Sequence, residues 1–406
     1  MPKKERLVIG LDIGSTKTCA LVGEMDEEGS VKFLALGAAE SKGWRKGQIV
    51  NLDLAVSSIR RAIEEAETVV GVPVESALIG VAGAHVRGVN SRGGMTLGQR
   101  ARDIEREDVR RAVEAARNVT LPDDREVLHV LPQEFFVDAQ DNIRDPLGMV
   151  GQRLEANVHI VTTSATGTQN IVTAVNRAGV IVSDTVLEPL ASAESCLTQD
   201  ERELGVALLD IGGGTTELIV YSGGVVRHCG AIPVGGDHFT NDLAVGLRTP
   251  IPEAEKIKRE HACALRELMV VDAAIEIASV GDRPPRTVFS RMLSEIVEPR
   301  AQELLTLVRD ELRRAGLDSQ IPAGLVLAGG ASRLRGLLEL AERVFSLPVR
   351  IAVPRGLADM SDEVSQPEYA TAVGLVLYGA RARRASPQRA GGWAGKLKAL
   401  FAGAGG

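Results

Sequence analysis

Two short stretches of the chain end an apolar run in an aspartate and follow it with a glycine-bearing polar turn. Residues 7–11 lead into Asp12-Ile13-Gly14, then Ser15-Thr16-Lys17-Thr18 and a second apolar run at 19–22. Residues 206–209 lead into Asp210-Ile211-Gly212, then Gly213-Gly214-Thr215-Thr216-Glu217 and the apolar run 218–220. Each pattern reads as a β-hairpin with a polar tip. At such a tip, glycines let backbone N–H groups approach phosphate oxygens without a Cβ in the way. The hydroxyls of Ser15, Thr16, Thr215 and Thr216 add donors, and Lys17 adds a charge. Phosphates repel a bare carboxylate, so Asp12 and Asp210 need another role. Mg²⁺ takes oxygen ligands and keeps several waters, and the two aspartates are suited to hold such a hydrated ion between the tips. One tip alone reads equally as an ordinary Asp/Gly turn. Two matched tips suggest two related domains facing one nucleotide phosphate tail and its metal.

These tips need a scaffold, and 406 residues are enough for two domains with real cores. Apolar residues make up 44% and charged residues 25%, as in a globular protein. Aromatics at 3% and a net charge of −7 argue against a nucleic-acid binder. Cys19, Cys196, Cys229 and Cys263 form no CxxC pair, which fits reduced cytosolic thiols rather than a disulfide framework or zinc site. No signal peptide is expected, and no apolar run is long enough to cross a bilayer.

Residues 7–83 read as strands plus one helix at 54–70, capped by Asn51-Leu52-Asp53 and carrying Ile59, Ala62, Ile63 and Ala66 at helical spacing. A buried strand is expected at 76–81. Residues 84–156 change character and read as an insertion, with a charged helix at 104–118 and a hairpin through 127–137. Core texture returns at 157–161, followed by a helix at 168–178 and a strand at 180–186. Glu188-Pro189 opens a further helix, Pro189 suiting its first turn. Residues 241–320 read as mostly helical, with helices at 252–268 and 291–315 and a strand candidate at 275–280. A strand at 325–328 ends in Gly329-Gly330-Ala331-Ser332, and helices are expected at 334–345 and 369–378.

The two Asp-Ile-Gly tips together with residues 327–332 resemble the three nucleotide loops of the actin-like ATPase superfamily. Within it, the module at 84–156, the Val234-Gly235-Gly236-Asp237 turn and the C-terminal tail make the chain resemble the FtsA family of bacterial cell-division proteins. The resemblance spans residues 7–379 and implies an α/β fold: two ribonuclease-H-like domains, an inserted small α+β subdomain and a helical lobe. The first domain takes 1–83, 157–195 and a closing helix at 365–379, with 84–156 inserted. The second takes 196–240 and 321–364, with 241–320 as its helical lobe. A linker at 380–392 and an amphipathic tail at 393–406 complete the division. The resemblance further implies ATP and Mg²⁺, with Gly329, Gly330 and Ala331 at the adenosine and Glu255 and Lys258 at ribose and adenine. It places Glu188 near the attacking water. The last two assignments compete with a surface ion pair and an ordinary helix start. Hydrolysis is expected to be slow or incidental.

Trp393, Leu397, Leu400 and Phe401 fall on one stripe of a short helix, flanked by Lys396 and Lys398. From Ala380 to Phe401 there are six basic residues and no acidic one, so positive charge is concentrated at the end of a negatively charged chain. That composition suits a helix lying in the plane of an anionic bilayer, and the resemblance implies the cytoplasmic face of the membrane at the division site; the plain alternative is a solvated terminus. The implied partners are further copies of the chain in filaments, the C-terminal peptide of the tubulin-like FtsZ on 241–320, and other divisome membrane proteins. Two alternatives stay beside this reading, a pilus-assembly scaffold of the PilM type and a metabolite kinase of the same superfamily, although no clear acidic base for a kinase is found; a chaperone-like ATPase is disfavoured because no peptide-binding domain is read after residue 379. Residues 84–156 do not themselves say whether they contact another copy or a partner.

Overall fold

The computed structural model describes residues 6–385 except 46 and 282. Two sheets build its two halves. The first has six strands in the order Ile181–Leu187, Ser76–Val81, Leu7–Ile13, Lys17–Met25, Val31–Glu40 and Leu357–Ala358. The second has five: Val225–Ile232, Thr216–Ser222, Val206–Ile211, Leu325–Ala328 and Val349–Ile351. Apart from the two-residue strand 357–358, the two follow one plan. The strand that opens each Asp-Ile-Gly hairpin lies in the middle. Its hairpin partner and the next strand run antiparallel on one side. Two later strands join in parallel on the other. Parallel pairing requires a long crossover, and helices supply it. Helix Leu52–Val70 is one: the Asn51 side chain accepts from Leu54 N–H, and Gly71, with φ 76°, ends it. It buries Ile59, Ala62, Ile63 and Ala66.

A separate four-stranded antiparallel sheet runs Gln140–Ile143, Arg125–Val137, Arg153–Ser164, Arg87–Thr96. Helix Arg106–Arg117 covers one face, and Ala112, Val113, Phe135, Leu154, Val158 and Ile160 form a core of their own. The hairpin read through 127–137 is instead one continuous strand, and the turn follows at Asp138-Ala139. Pro132 does not break it, because there the strand pairs only with Arg153–Ser164 and the register shifts beside it.

Two other boundaries differ most from the sequence reading, while smaller shifts put helices at Ala165–Arg177 and Leu337–Phe345 and a strand at Ala274–Ile277. The helix expected at 252–268 is Ile251–His261. Past it, residues 262–265 are buried, Cys263 bridges to Arg335, and Ala264 N–H donates to the Arg335 carbonyl at 2.7 Å. The linker expected from 380 does not begin there, because the last helix runs Ala370–Ala385. Ala380 is buried, and the Arg381 guanidinium donates to both oxygens of Glu194 at 2.8 and 2.9 Å. Packing against the rest of the molecule thus outweighs a composition that reads as linker.

The chain leaves the first sheet for the second through helix Glu188–Cys196, and it returns into helix Ala370–Ala385, which packs on the first sheet's central strands. These two helices pack on each other. Their backbones meet at Gly374, where a Cβ would overlap the Ala191 carbonyl.

Candidate functional site

The two hairpin tips have the same construction. Asp12 stands opposite Cys19 and Ile13 opposite Thr18; Asp210 stands opposite Glu217 and Ile211 opposite Thr216. Each encloses four residues, closed by a 3.0 Å bond from Gly14 N–H to the Lys17 carbonyl and from Gly212 N–H to the Thr215 carbonyl. The tips touch: a Cβ at Gly213 would come within 2.6 Å of Thr16 Cγ2. The third loop follows Leu325–Ala328. Gly329 has φ +78°, and a Cβ there would lie 2.5 Å from Asp210 Oδ1. Only glycine lets this loop pass so close to the aspartate.

These loops wall a cleft of about 570 Å³. Asp12, Gly14, Ser15, Thr16 and Lys17 line it from the first half, with Glu188 at the start of the crossing helix. Asp210, Gly212, Gly213, Gly214, Thr215, Glu255, Lys258, Gly329, Gly330 and Ala331 line it from the second. Thr216 does not belong with them. It is fully buried, and its hydroxyl donates to the Val234 carbonyl at 2.8 Å, pinning the hairpin to the turn before helix Gly236–Leu247. The alternation of a strand turns Thr216 away from its neighbour Thr215. Lys17 lines the cleft but is already engaged. Its Nζ donates to the Glu368 carbonyl at 3.0 Å and lies 3.3 Å from the centre of the Tyr369 ring.

Glu255 and Lys258 are an ion pair at 2.6 Å and also line the cleft, so the two sequence readings of them coexist. Thr240 Oγ1 donates to Glu255 at 2.5 Å, and Lys258 Nζ donates to the Gly236 carbonyl at 3.1 Å. Both side chains are thereby fixed to the first turn of helix Gly236–Leu247. The tail residues Trp393, Lys396, Leu397, Lys398, Leu400 and Phe401 lie outside the described residues.

Four carboxyl groups share the cleft floor. Burial pushes Asp12 up to about 7, with the Asp210 charge adding to it and Lys17 opposing. Burial pushes Glu217 up to about 8, although Thr215 Oγ1 donates to it at 2.6 Å. Burial raises Asp210, against hydrogen bonds from Ser192 and Thr371. Burial raises Glu188 most plainly, and the neighbouring Asp12 and Glu217 charges raise it further. So many acids desolvated together favour a cation among them. Hard oxygen donors of this kind suit Mg²⁺. Among the described residues no three His, Cys, Asp or Glu groups are close enough to cage an ion directly.

Sequence reasoning missed the groups that hold Asp210. Ser192 Oγ donates to Asp210 Oδ2 at 2.7 Å and Thr371 Oγ1 donates to the same oxygen at 3.1 Å. The two hydroxyls are 2.8 Å apart. One comes from each crossing helix, so the aspartate is tied to the junction of the two halves. Ser192 follows Glu188 by four residues, one helical turn, and that spacing was a usable signal. Glu217 was also countable, as the residue that pairs with Asp210 across the tip. Thr371, Glu368 and Tyr369 had no local signal, since only the return of the chain brings them here.

A family model described as "Cell division protein FtsA" matches residues 207–374, and one described as "SHS2 domain inserted in FTSA" matches residues 83–162. The chain is 48% identical over 374 residues to the cell division protein FtsA of Pseudomonas aeruginosa, covering 92% of this chain and 89% of that one. It is 41% identical over 381 residues to the FtsA of Escherichia coli K12, with 92% and 90% covered. Among solved structures, the PilM–PilN type IV pilus biogenesis complex aligns with a TM-score of 0.66 at 18% identity, covering 92% of this chain and 98% of that one. MreB5 of Spiroplasma citri bound to ADP aligns at 0.57 and 15%, covering 93% and 97%.

Proposed function

The chain belongs to the FtsA family of cell-division proteins and has the actin-like ATPase fold, and from that premise we propose that it is an ATP-loaded adaptor that polymerises on the inner face of the cytoplasmic membrane. There it tethers FtsZ filaments at the division site and recruits later divisome proteins. The observation that carries the nucleotide part is the convergence of two equivalent tips and the Gly329 loop on one cleft. The binding of ADP by MreB5, which shares the fold, agrees with it. The pilus-scaffold reading has a likeness of fold alone at 18% identity, whereas the FtsA reading has sequence identity across nearly the whole chain.

In this reading the backbone N–H groups and hydroxyls of both tips hold the phosphates, and residues 329–331 leave room for the adenosine. Asp12 and Asp210 hold Mg²⁺ through water, and the ion offsets phosphate charge. Glu188 orients the attacking water. Burial and the neighbouring Asp12 and Glu217 charges raise Glu188 above the ordinary carboxylate range.

The helical lobe offers apolar surface for a partner peptide. Val270 and Val271 are 89% and 75% exposed, Val245 78% and Phe289 53%. Exposed apolar side chains so concentrated in one lobe suit a docking surface, and we assign the FtsZ C-terminal peptide to it. Membrane attachment is assigned to 393–401. No helix among the described residues is long and apolar enough to cross a membrane. A single amphipathic tail binds lipid weakly, and a row of tails on a filament binds far more tightly through effective concentration.

The test is co-sedimentation with anionic vesicles, with and without Mg-ATP, for the whole chain and for a version ending at Gly392. ATP-enhanced pelleting that truncation abolishes is the expected result. Lipid binding that survives truncation would refute the tail assignment.

A further inference from the structure

The four-stranded sheet has one face under helix Arg106–Arg117 and another on which polar side chains stand beside Leu131 and Phe136. Register places Arg92, Asn157 and Glu134 in one row across that second face, and Asn90 and His159 in the next. The face meets the edge strand Val225–Ile232 of the other half. Gln133 Nε2 donates to the Val226 carbonyl at 2.8 Å, and His159 Nε2 lies 3.1 Å from Cys229 Sγ. Beyond this seam the surfaces part around a cavity of about 580 Å³, within the range of ligand-binding pockets. Asn90, Arg92, Glu134 and Asn157 line one side. Arg227 and His228, with Glu311, Arg314 and Gln320 at the end of the long helix Ser290–Arg314 and just after it, line the other.

The charges of this cavity are unevenly satisfied. Glu311 is shared by His228 at 3.1 Å and Arg314 at 2.7 Å. Arg92 is paired with Glu155 and lies over the Phe136 ring. Glu134 accepts from Asn157 Nδ2 at 2.8 Å. Arg227 is half-buried and has one protein hydrogen bond, from Nε to the Ser222 carbonyl at 3.2 Å. No carboxylate of the described residues pairs with it. Its two terminal nitrogens form a fork that fits a planar carboxylate. Asn90 has its Oδ1 engaged by His159 and Gln133, Asn157 its Nδ2 by Glu134 and Gln320 its Nε2 by the Gly316 carbonyl, which leaves Asn90 Nδ2 as a donor and Asn157 Oδ1 and Gln320 Oε1 as acceptors for a peptide backbone.

We propose that this seam cavity binds a short acidic peptide segment, with a carboxylate on Arg227 and the peptide's main chain against the amide-bearing walls. A peptide seated there bridges the inserted sheet and the second half of the molecule, so its binding fixes the angle between them. The site is separate from the nucleotide cleft and from the apolar surface of the helical lobe.

The test is fluorescence anisotropy of a fluorescein-labelled Glu-Asp-Glu peptide with both ends blocked, on the full chain. A Gln-Asn-Gln analogue and inorganic phosphate serve as competitors. Arg227→Gln should weaken binding at least tenfold and Arg227→Lys less, because the lysine keeps the charge and loses the fork. Gln320→Glu, at an exposed position, should weaken it several-fold by adding like charge, with unchanged thermal unfolding confirming that the fold is intact. Binding that is unaffected by Arg227→Gln would place the peptide elsewhere and overturn the proposal. Equal competition by the neutral analogue or by phosphate would overturn the assignment to an acidic peptide.

Discussion

Replacing Glu217 by glutamine should flatten the pH dependence of stability. The folded chain holds Glu217 at about 8 against an ordinary 4.5, and Asp12 at about 7 against an ordinary 3.8. Between those limits the unfolded chain has released protons that the folded chain keeps. Stability therefore falls as pH rises, by about 1.4 kcal/mol per pH unit for each such group. The contribution of these two groups is greatest below the ordinary carboxylate range and is lost as pH climbs through their folded values. Between about pH 5.5 and 6.5 both groups act, which gives a combined slope of roughly 2.7 kcal/mol per pH unit from the two. Glu217→Gln removes its half, while its amide oxygen can still accept from Thr215 Oγ1. Urea midpoints in nucleotide-free, metal-free buffer across this range measure the slope, with Trp44 in the cleft wall as the fluorescent probe. The whole-chain slope should exceed that of Glu217→Gln by about 1.4 kcal/mol per pH unit. Parallel pH dependences for the two proteins would refute the argument that burial keeps Glu217 protonated.

Three other substitutions probe the junction and the chemistry. Gly374→Ala forces a Cβ into the Ala191 carbonyl, and overpacking of this kind costs about 1–3 kcal/mol; a lowered melting temperature together with weaker nucleotide binding is expected. Thr371→Val removes one donor to the buried Asp210 and should cost about 1–3 kcal/mol, read by thermal unfolding. Ser192 then remains as the donor to that oxygen, so adding Ser192→Ala should cost more than the first change did. Glu188→Gln should leave nucleotide affinity within a few-fold and lower phosphate release at least tenfold, measured in single-turnover assays.

The hairpin tips were legible because their chemistry is local. An apolar run, four polar residues and a second apolar run fix both pairing and register, so Asp12 and Asp210 fall where counting puts them. Thr216 misled because a run of small polar residues does not show where the loop ends and strand alternation begins. The last helix misled in the same way: Arg381 and its neighbours read as linker until Glu194, from another helix, gives Arg381 a partner. Ser192 and Thr371 are 179 residues apart and meet only because both crossing helices pass beneath Asp210. Contacts of that range leave no periodicity in the sequence to read.

Helix Ala370–Ala385 runs from Asp210 to the turn at Gly29. Thr371 at one end touches the oxygen of Asp210 that faces the junction, and Arg384 at the other lies beside the Gly29 turn, from which the rest of the chain continues. From Thr371 to Ala385 the helix is roughly 21 Å long. A tilt of about 5° at the aspartate therefore displaces the far end by roughly 2 Å over that length. A tilt of that size at the cleft would become, at the far end of this helix, a movement longer than a carbon–carbon bond.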